Sequence, residues 1–187
     1  MKIIKTHISG LVIIEPYIFE DKRGYFFETF NHEKYKEAGI DVNFLQDNES
    51  KSVRGVVRGL HYQLAPYAQG KLVRVIQGKV YDVAVDLRKD SPTFGKWYGI
   101  ELDDVSKKQM FVPRGFAHGF SVLSETAIFS YKCDNVYNRE VERGINLADS
   151  QLGIDWKLNP EEQIISEKDM RAPNFEEAEM NFEFNDN

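Results

Sequence analysis

Short runs of β-branched, aliphatic and aromatic residues, each closed within a few positions by glycine, proline or a polar turn, restrict this chain's fold more than any other feature. Leu11 to Pro16 is one such run, and Tyr25 to Phe30 follows the turn Asp21-Lys22-Arg23-Gly24. Later runs lie at Trp97 to Leu102, Gln109 to Val112, Gly119 to Leu123 and Ala127 to Cys133, with Pro92, Pro113 and glycines between them. Many short strands at fairly even spacing predict a sandwich or barrel rather than alternating βαβ units. One helix is expected in the first half, capped by Asn31, running through Glu37 and Ala38 and stopped by Gly39.

The segment Lys71 to Arg88 reads as a hairpin. Leu72 to Ile76 and Val80 to Leu87 flank a turn at Gln77-Gly78. A two-residue turn sets Val75 opposite Val80 and Lys71 opposite Ala84. Lys71 and Asp82 then lie diagonally on one face, within mutual reach. A slip of one residue would undo this, because successive side chains point to opposite faces.

At 187 residues the chain fits one domain spanning 1–187, and 42% apolar content is enough to build a core. Lys and Arg number 24 against 30 Asp and Glu, a net charge of -6 that argues against a nucleic-acid binder. A small anionic ligand remains compatible, since a few local cations overcome a modest global repulsion. Cys133 is the sole cysteine, so no intrachain disulfide forms and a reducing compartment fits. The first residues lack the apolar stretch of a signal peptide, and no uncharged run is long enough to span a bilayer. A cytoplasmic protein without membrane attachment is expected. The acidic stretch 176–187 is expected to fray or to pack as a late edge strand.

Proton transfer is the chemistry the residues suggest first. Arg58-Gly59-Leu60-His61-Tyr62-Gln63 sets a histidine between a cation and hydrogen-bonding side chains, and Lys71 follows ten residues on. Imidazole is the readiest proton acceptor near neutral pH. Standing alone, His61 would more often be a satisfied strand histidine. Pro113-Arg114-Gly115-Phe116-Ala117-His118 matches half of the cupin pattern, P-x-G-x-x-H. Metal-binding cupins also carry H-x-H, and here the corresponding place reads His61-Tyr62-Gln63, with one imidazole. A catalytic metal wants about three protein ligands, so none is expected.

Several segments together resemble one family. They are Asp21 to Glu28, Gln46-Asp47-Asn48, Arg58 to Gln63, Gln69 to Arg74, Phe111 to Phe120 and Ser166 to Asp169, in order from about residue 10 to about residue 170. They are similar to the dTDP-4-dehydrorhamnose 3,5-epimerase family. That resemblance implies an all-β, antiparallel, cupin-like jelly roll with a few short peripheral helices. It also implies inversion of C3 and C5 of a 4-keto-6-deoxyhexose carried on dTDP, with no metal and no organic cofactor. Both carbons neighbour the C4 ketone, so losing either proton gives an enolate. Inversion then needs a base on one face of the sugar, an acid on the other and a partner for the charge on O4.

The resemblance makes His61 the base, Asp169 its orienting carboxylate, Lys71 the enolate's partner and Tyr131 the opposite-face acid. Asp169 equally fits a helix cap in Ser166-Glu167-Lys168-Asp169, Lys71 a solvated strand lysine and Tyr131 a core aromatic. By the same resemblance Arg23, Arg58, Lys168 and His118 meet the diphosphate, where guanidinium forks suit phosphate oxygens. Glu28, Gln46 and Asn48 meet the nucleotide, Tyr137 shapes the sugar pocket, and Glu142 contacts substrate. His118 alternatively closes the turn after Pro113. The family implies a homodimer in which N-terminal strands join the partner's sheet, carrying Arg23 and Glu28 to the neighbouring site. Three other readings stay open: inversion of C3 or C5 alone, a metal-dependent cupin, and a noncatalytic sugar-nucleotide binder.

Overall fold

The computed structural model describes residues 1–184. Fourteen strands carry the fold: β1 (Lys2–Lys5), β2 (Val12–Glu15), β3 (Phe19–Asp21), β4 (Gly24–Phe26), β5 (Gln46–Val53), β6 (Val56–Gln63), β7 (Lys71–Gln77), β8 (Lys79–Asp86), β9 (Trp97–Asp103), β10 (Gln109–Val112), β11 (Phe116–Val122), β12 (Thr126–Cys133), β13 (Glu142–Gly144) and β14 (Ile164–Ile165). Two short helices, α1 (His32–Glu37) and α2 (Glu167–Met170), lie outside the sheets. One sheet runs β1-β2-β10-β7-β12-β5 and the other β13-β6-β11-β8-β9, antiparallel throughout except where β14 joins β6 in parallel. Two such sheets packed face to face form the expected jelly roll. No helix among the described residues is long and apolar enough to cross a membrane.

Alternation decides which side chains meet. Val73, Val75, Met110 and Phe129 of the first sheet pack against Val80, Ala84, Leu102, Phe116 and Phe120 of the second. The outer face of the second sheet is covered by the C-terminal segment through Leu147, Leu152, Trp156, Phe175 and Phe182. Tyr35 of α1 and Ile40 cover Ile14, Leu72 and Phe111 on the other outer face. β8 is therefore enclosed on both sides, and every residue from Val80 to Asp86 is buried, the carboxylates Asp82 and Asp86 included. The helix at 32–37 forms as its signals indicate: the Asn31 side chain accepts a hydrogen bond from the Lys34 N–H, and Gly39 follows with φ of 88°.

One expectation fails. β7 and β8 are not a hairpin; they belong to different sheets, and the turn at Gly78 carries the chain from one to the other. Gly78 has φ of 86°, and a Cβ there would lie 2.2 Å from the Thr126 carbonyl oxygen, so only glycine suits this passage. Lys71 and Asp82 still approach each other, but across the interior rather than along one sheet. The acidic tail is docked as far as Phe184. Phe182 is buried, and Lys89 exchanges backbone hydrogen bonds with Phe182 and Phe184; residues 185–187 of the fraying expectation lie outside the described residues.

A buried carboxylate fixes the loop after β8. Asp86 accepts hydrogen bonds from the Arg88 guanidinium at 2.8 Å and from the Ser91 and Thr93 hydroxyls at 2.7 Å. Burial alone would raise its pKa, but these hydrogen bonds outweigh it and hold the carboxyl below the ordinary range. Asp86→Ala strands Arg88 without its partner and is expected to lower stability by about 3 kcal/mol, read by urea denaturation. Because the folded-state pKa is depressed, this stabilisation is present above the ordinary carboxylate range. It is lost as pH falls through the folded value, so the variant and the parent should converge in acid. A constant gap down to the lowest pH at which both fold would contradict the assignment.

Candidate active site

The inward-facing positions at one end of the sandwich are polar instead of apolar, and they surround a cavity of ≈ 240 Å³. Its lining draws Gln46 and Asn48 from β5, His61 and Gln63 from β6, Lys71 from β7, Tyr131 from β12 and Glu142 from β13. Strand pairing explains the convergence, because Tyr131 stands opposite Asn48, Cys133 opposite Lys71, and Gly144 opposite His61. Tyr62, Gln69 and Tyr137 complete the wall.

His61 and Asp169 are 108 residues apart in sequence, and their side chains meet at 2.7 Å between Nε2 and Oδ1. Asp169 makes two contacts at once. Its N–H donates to the Ser166 hydroxyl at 3.1 Å, which starts α2, while its carboxylate turns to the imidazole. Burial pushes this carboxyl up, but the His61 hydrogen bond and charge, the Ser166 hydroxyl and the Gly59 N–H outweigh it and hold it below its ordinary value. An ionised carboxylate on one ring nitrogen leaves the other free to take a proton, and favours the imidazolium that results.

Lys71 sits with its Nζ 5.8 Å from the centre of the Tyr131 ring. Burial draws the ammonium's pKa down, while Cys133, Asp82 and Glu142 act to raise it. The Tyr131 phenol is pushed up, chiefly by burial, with Arg58 and the Asn48 side chain opposing. Cys133 is pushed up to about 11 by burial, so it stays a neutral thiol at neutral pH. The cavity thus presents an imidazole with a fixed partner, a neutral phenol and an ammonium to one small space.

At the rim, Glu142 accepts from the Tyr137 hydroxyl at 2.9 Å and from Lys168 Nζ at 2.7 Å. Gln46 accepts from the Tyr137 N–H at 2.9 Å, and its amide donates to Asn48. Arg58 is exposed and does not line the cavity; its Nε donates to the Ser52 hydroxyl at 3.1 Å, and its charge acts on the Tyr131 phenol.

Three expected residues stay out of this cluster. Arg23 lies on the exposed turn between β3 and β4, paired with Asp21 at 2.5 Å, and Glu28 is held by Lys34 at 2.8 Å; neither lines the cavity of its own chain. His118 is buried, with Nε2 2.8 Å from Asp82 Oδ1, and does not line the cavity. The P-x-G-x-x-H pattern gives its strand position but not this partner.

Gln63 was not singled out from the sequence although it ends the same motif as His61. Its amide donates to the Tyr67 and Val136 carbonyls and accepts from the Asn138 N–H, so it holds the loop that presents Tyr137. Among the described residues, no group of three or more His, Cys, Asp or Glu is gathered in the way a metal ion needs.

A two-sheet jelly roll with acid–base groups collected at one open end is the plan of the cupin-like isomerases. The family model described as dTDP-4-dehydrorhamnose 3,5-epimerase matches residues 5–177. The chain is 52% identical over 181 residues to the dTDP-4-dehydrorhamnose 3,5-epimerase of Shigella flexneri, covering 96% of this chain and 98% of that one. A crystal structure of dTDP-4-dehydrorhamnose 3,5-epimerase from Elizabethkingia anophelis superposes with a TM-score of 0.91 at 56% identity, covering 94% of this chain and 97% of that one. The dTDP-6-deoxy-D-glucose-3,5-epimerase of Legionella pneumophila, solved with dTDP-4-keto-L-rhamnose, gives 0.91 at 50% identity, covering 94% and 93%. The chain belongs to the dTDP-4-dehydrorhamnose 3,5-epimerase family.

Proposed function

We propose that this enzyme inverts C3 and C5 of dTDP-4-dehydro-6-deoxy-D-glucose to give dTDP-4-dehydro-L-rhamnose, with the groups around one cavity sharing the proton transfers. His61 removes the proton from each carbon, Asp169 steadies the imidazolium, and Tyr131 delivers a proton from the opposite face. Lys71 meets the negative charge that gathers on O4 when the C–H bond breaks. The observation that carries this reading is the 2.7 Å contact of His61 with Asp169 on a cavity shared with Lys71 and Tyr131.

Arg58 and Lys168 supply positive charge for the diphosphate, Lys168 from the rim, where it shares Glu142 with Tyr137. Gln46, Asn48 and Glu142 supply polar contacts to the substrate. The protein acts as a homodimer in the cytoplasm. The β3–β4 ribbon supports an assembly in which each copy completes the other's site with Arg23 and Glu28. It belongs to neither main sheet and exposes Phe19, Tyr25 and Phe26, an apolar surface that a second copy would cover.

Incubating the enzyme with dTDP-4-dehydro-6-deoxy-D-glucose in heavy water, followed by NMR, is expected to place deuterium at both C3 and C5 of the inverted product. Label at only one carbon would make it a single-centre epimerase, and no label would make it a binding module. Sedimentation across a dilution series is expected to show a dimer whose dissociation removes activity; a fully active monomer would overturn the shared site.

A further inference from the structure

The loop between β9 and β10 holds a lysine in an unusual way. Lys107 is buried, and its backbone has φ of 54°, the left-handed region that residues other than glycine seldom occupy. The turn before it is set by Asp103, whose Oδ1 accepts from the Val105 N–H at 2.9 Å and the Ser106 N–H at 2.6 Å. So presented, Lys107 Nζ donates to the Tyr25 hydroxyl at 3.0 Å and stands 4.5 Å from the centre of that ring. Among the described residues this is the one hydrogen bond the side chain makes. A buried cation is costly unless it is engaged, so this contact counts for more than an exposed one.

The next two residues grip the same stretch of chain. Lys108 Nζ pairs with Glu15 Oε1 at 3.0 Å just before the β3–β4 ribbon, and the buried Gln109 donates to the Thr29 carbonyl at 2.9 Å just after it. Tyr25 lies between these ties, two residues from Arg23 and three from Glu28. We propose that Lys107 is a positioning residue for the neighbouring copy's active site, clasping Tyr25 so that the ribbon delivers Arg23 and Glu28 to the nucleotide in a fixed place. It acts through Tyr25 and not on the substrate itself. This inference rests on the reading that each copy completes the other's site with Arg23 and Glu28, and it names what holds them there.

The ribbon needs such a clasp. Its strands pair over only three residues, Phe19 with Phe26, Glu20 with Tyr25 and Asp21 with Gly24, and so short a pair does not hold its own shape. Phe19, Tyr25 and Phe26 are exposed, so packing within the chain does little to fix it. The ties at Glu15 and Thr29 secure its two roots and leave its length free. Without Lys107, Arg23 and Glu28 must be ordered each time the nucleotide binds, and that cost falls on affinity. The proton transfers use groups of the other copy and proceed unchanged once the substrate is held. The clasp therefore bears on KM and not on kcat.

The test uses Lys107→Asn, since asparagine tolerates the left-handed backbone but cannot reach Tyr25, and Tyr25→Phe, which keeps the ring and loses the hydroxyl. Lys107→Asn is expected to raise KM and weaken dTDP binding about tenfold, and Tyr25→Phe about threefold, each with kcat within about twofold of the parent and the dimer intact. Heterodimers co-expressed with two tags then show on which chain the loss falls. Paired with a His61→Ala chain, the Lys107→Asn chain supplies the one complete catalytic set and receives an intact ribbon, so the parental KM should return. Placing both changes on one chain opposite a parental chain should leave KM raised. Should Lys107→Asn not fold, Tyr25→Phe is carried through the same pairings. Arg23→Ala, treated likewise, reads the shared site itself. Unchanged KM in both variants, a dimer that falls apart, or a loss that stays with its own chain while that of Arg23→Ala crosses over, overturns the clasp. If the Arg23→Ala loss also stays with its own chain, the shared-site reading fails and the clasp with it.

Discussion

The His61→Ala enzyme is expected to bind dTDP as its parent does and yet to exchange neither sugar proton with solvent. General bases contribute on the order of 10²- to 10⁴-fold, and in the proposed scheme one imidazole serves two carbons, so the loss falls on both steps together. The side chain is partly exposed at the cavity, and its removal leaves a space open to solvent rather than a void in the packed core. Stability should change little, and circular dichroism would confirm that the fold is intact. Deuterium uptake from heavy water, followed separately at C3 and C5, is the measurement. Persistent uptake at either carbon would mean a second base, and the single-base scheme would fail.

Tyr131→Phe separates taking a proton from giving one. Phenylalanine keeps the ring against Phe129 and beside Lys71, so packing survives while the acid is lost. Net inversion is expected to fall by roughly 10²- to 10³-fold, whereas hydrogen wash-out at C3 and C5 falls far less, because His61 and Lys71 still form and hold the enolate. The proton then returns from the face it left, giving exchange without inversion. Tyr131 is pushed up by burial, so the phenol stays protonated through the ordinary working range. Full epimerisation by the phenylalanine variant would remove Tyr131 from the acid's role.

The jelly roll was legible because the chain alternates where one face is wet and runs apolar where both are covered. β9, β10 and β12 form close to where their patterns put them. The passage at Gly78 was not legible. A turn followed by an alternating run signals reversal, but nothing local says whether the next strand returns beside the last one or crosses to the opposing sheet. The nearness of Lys71 to Asp82 was therefore anticipated from a wrong pairing and arises from the width of the sandwich.

β5 was missed for another reason. Gln46-Asp47-Asn48-Glu49-Ser50-Lys51 has no apolar alternation, because this edge strand turns Gln46 and Asn48 into a polar cavity. Function overrode the signal that usually reveals a strand. The proposed catalytic set was pointed to only by the ordered family motifs, since each of its members has an ordinary structural use. Asp169 shows how close the two uses lie, with its backbone starting a helix and its carboxylate serving another strand.

That carboxylate arrives on the last helix of the chain, more than a hundred positions after the imidazole it steers. A polypeptide halted before Ser166 would hold His61, Lys71, Tyr131 and Glu142, and would lack Asp169, the Lys168 that pairs with Glu142, and the Phe175 and Phe182 that cover the second sheet. In the proposed scheme the imidazole therefore gains its orienting partner only when the end of the chain has been made and docked.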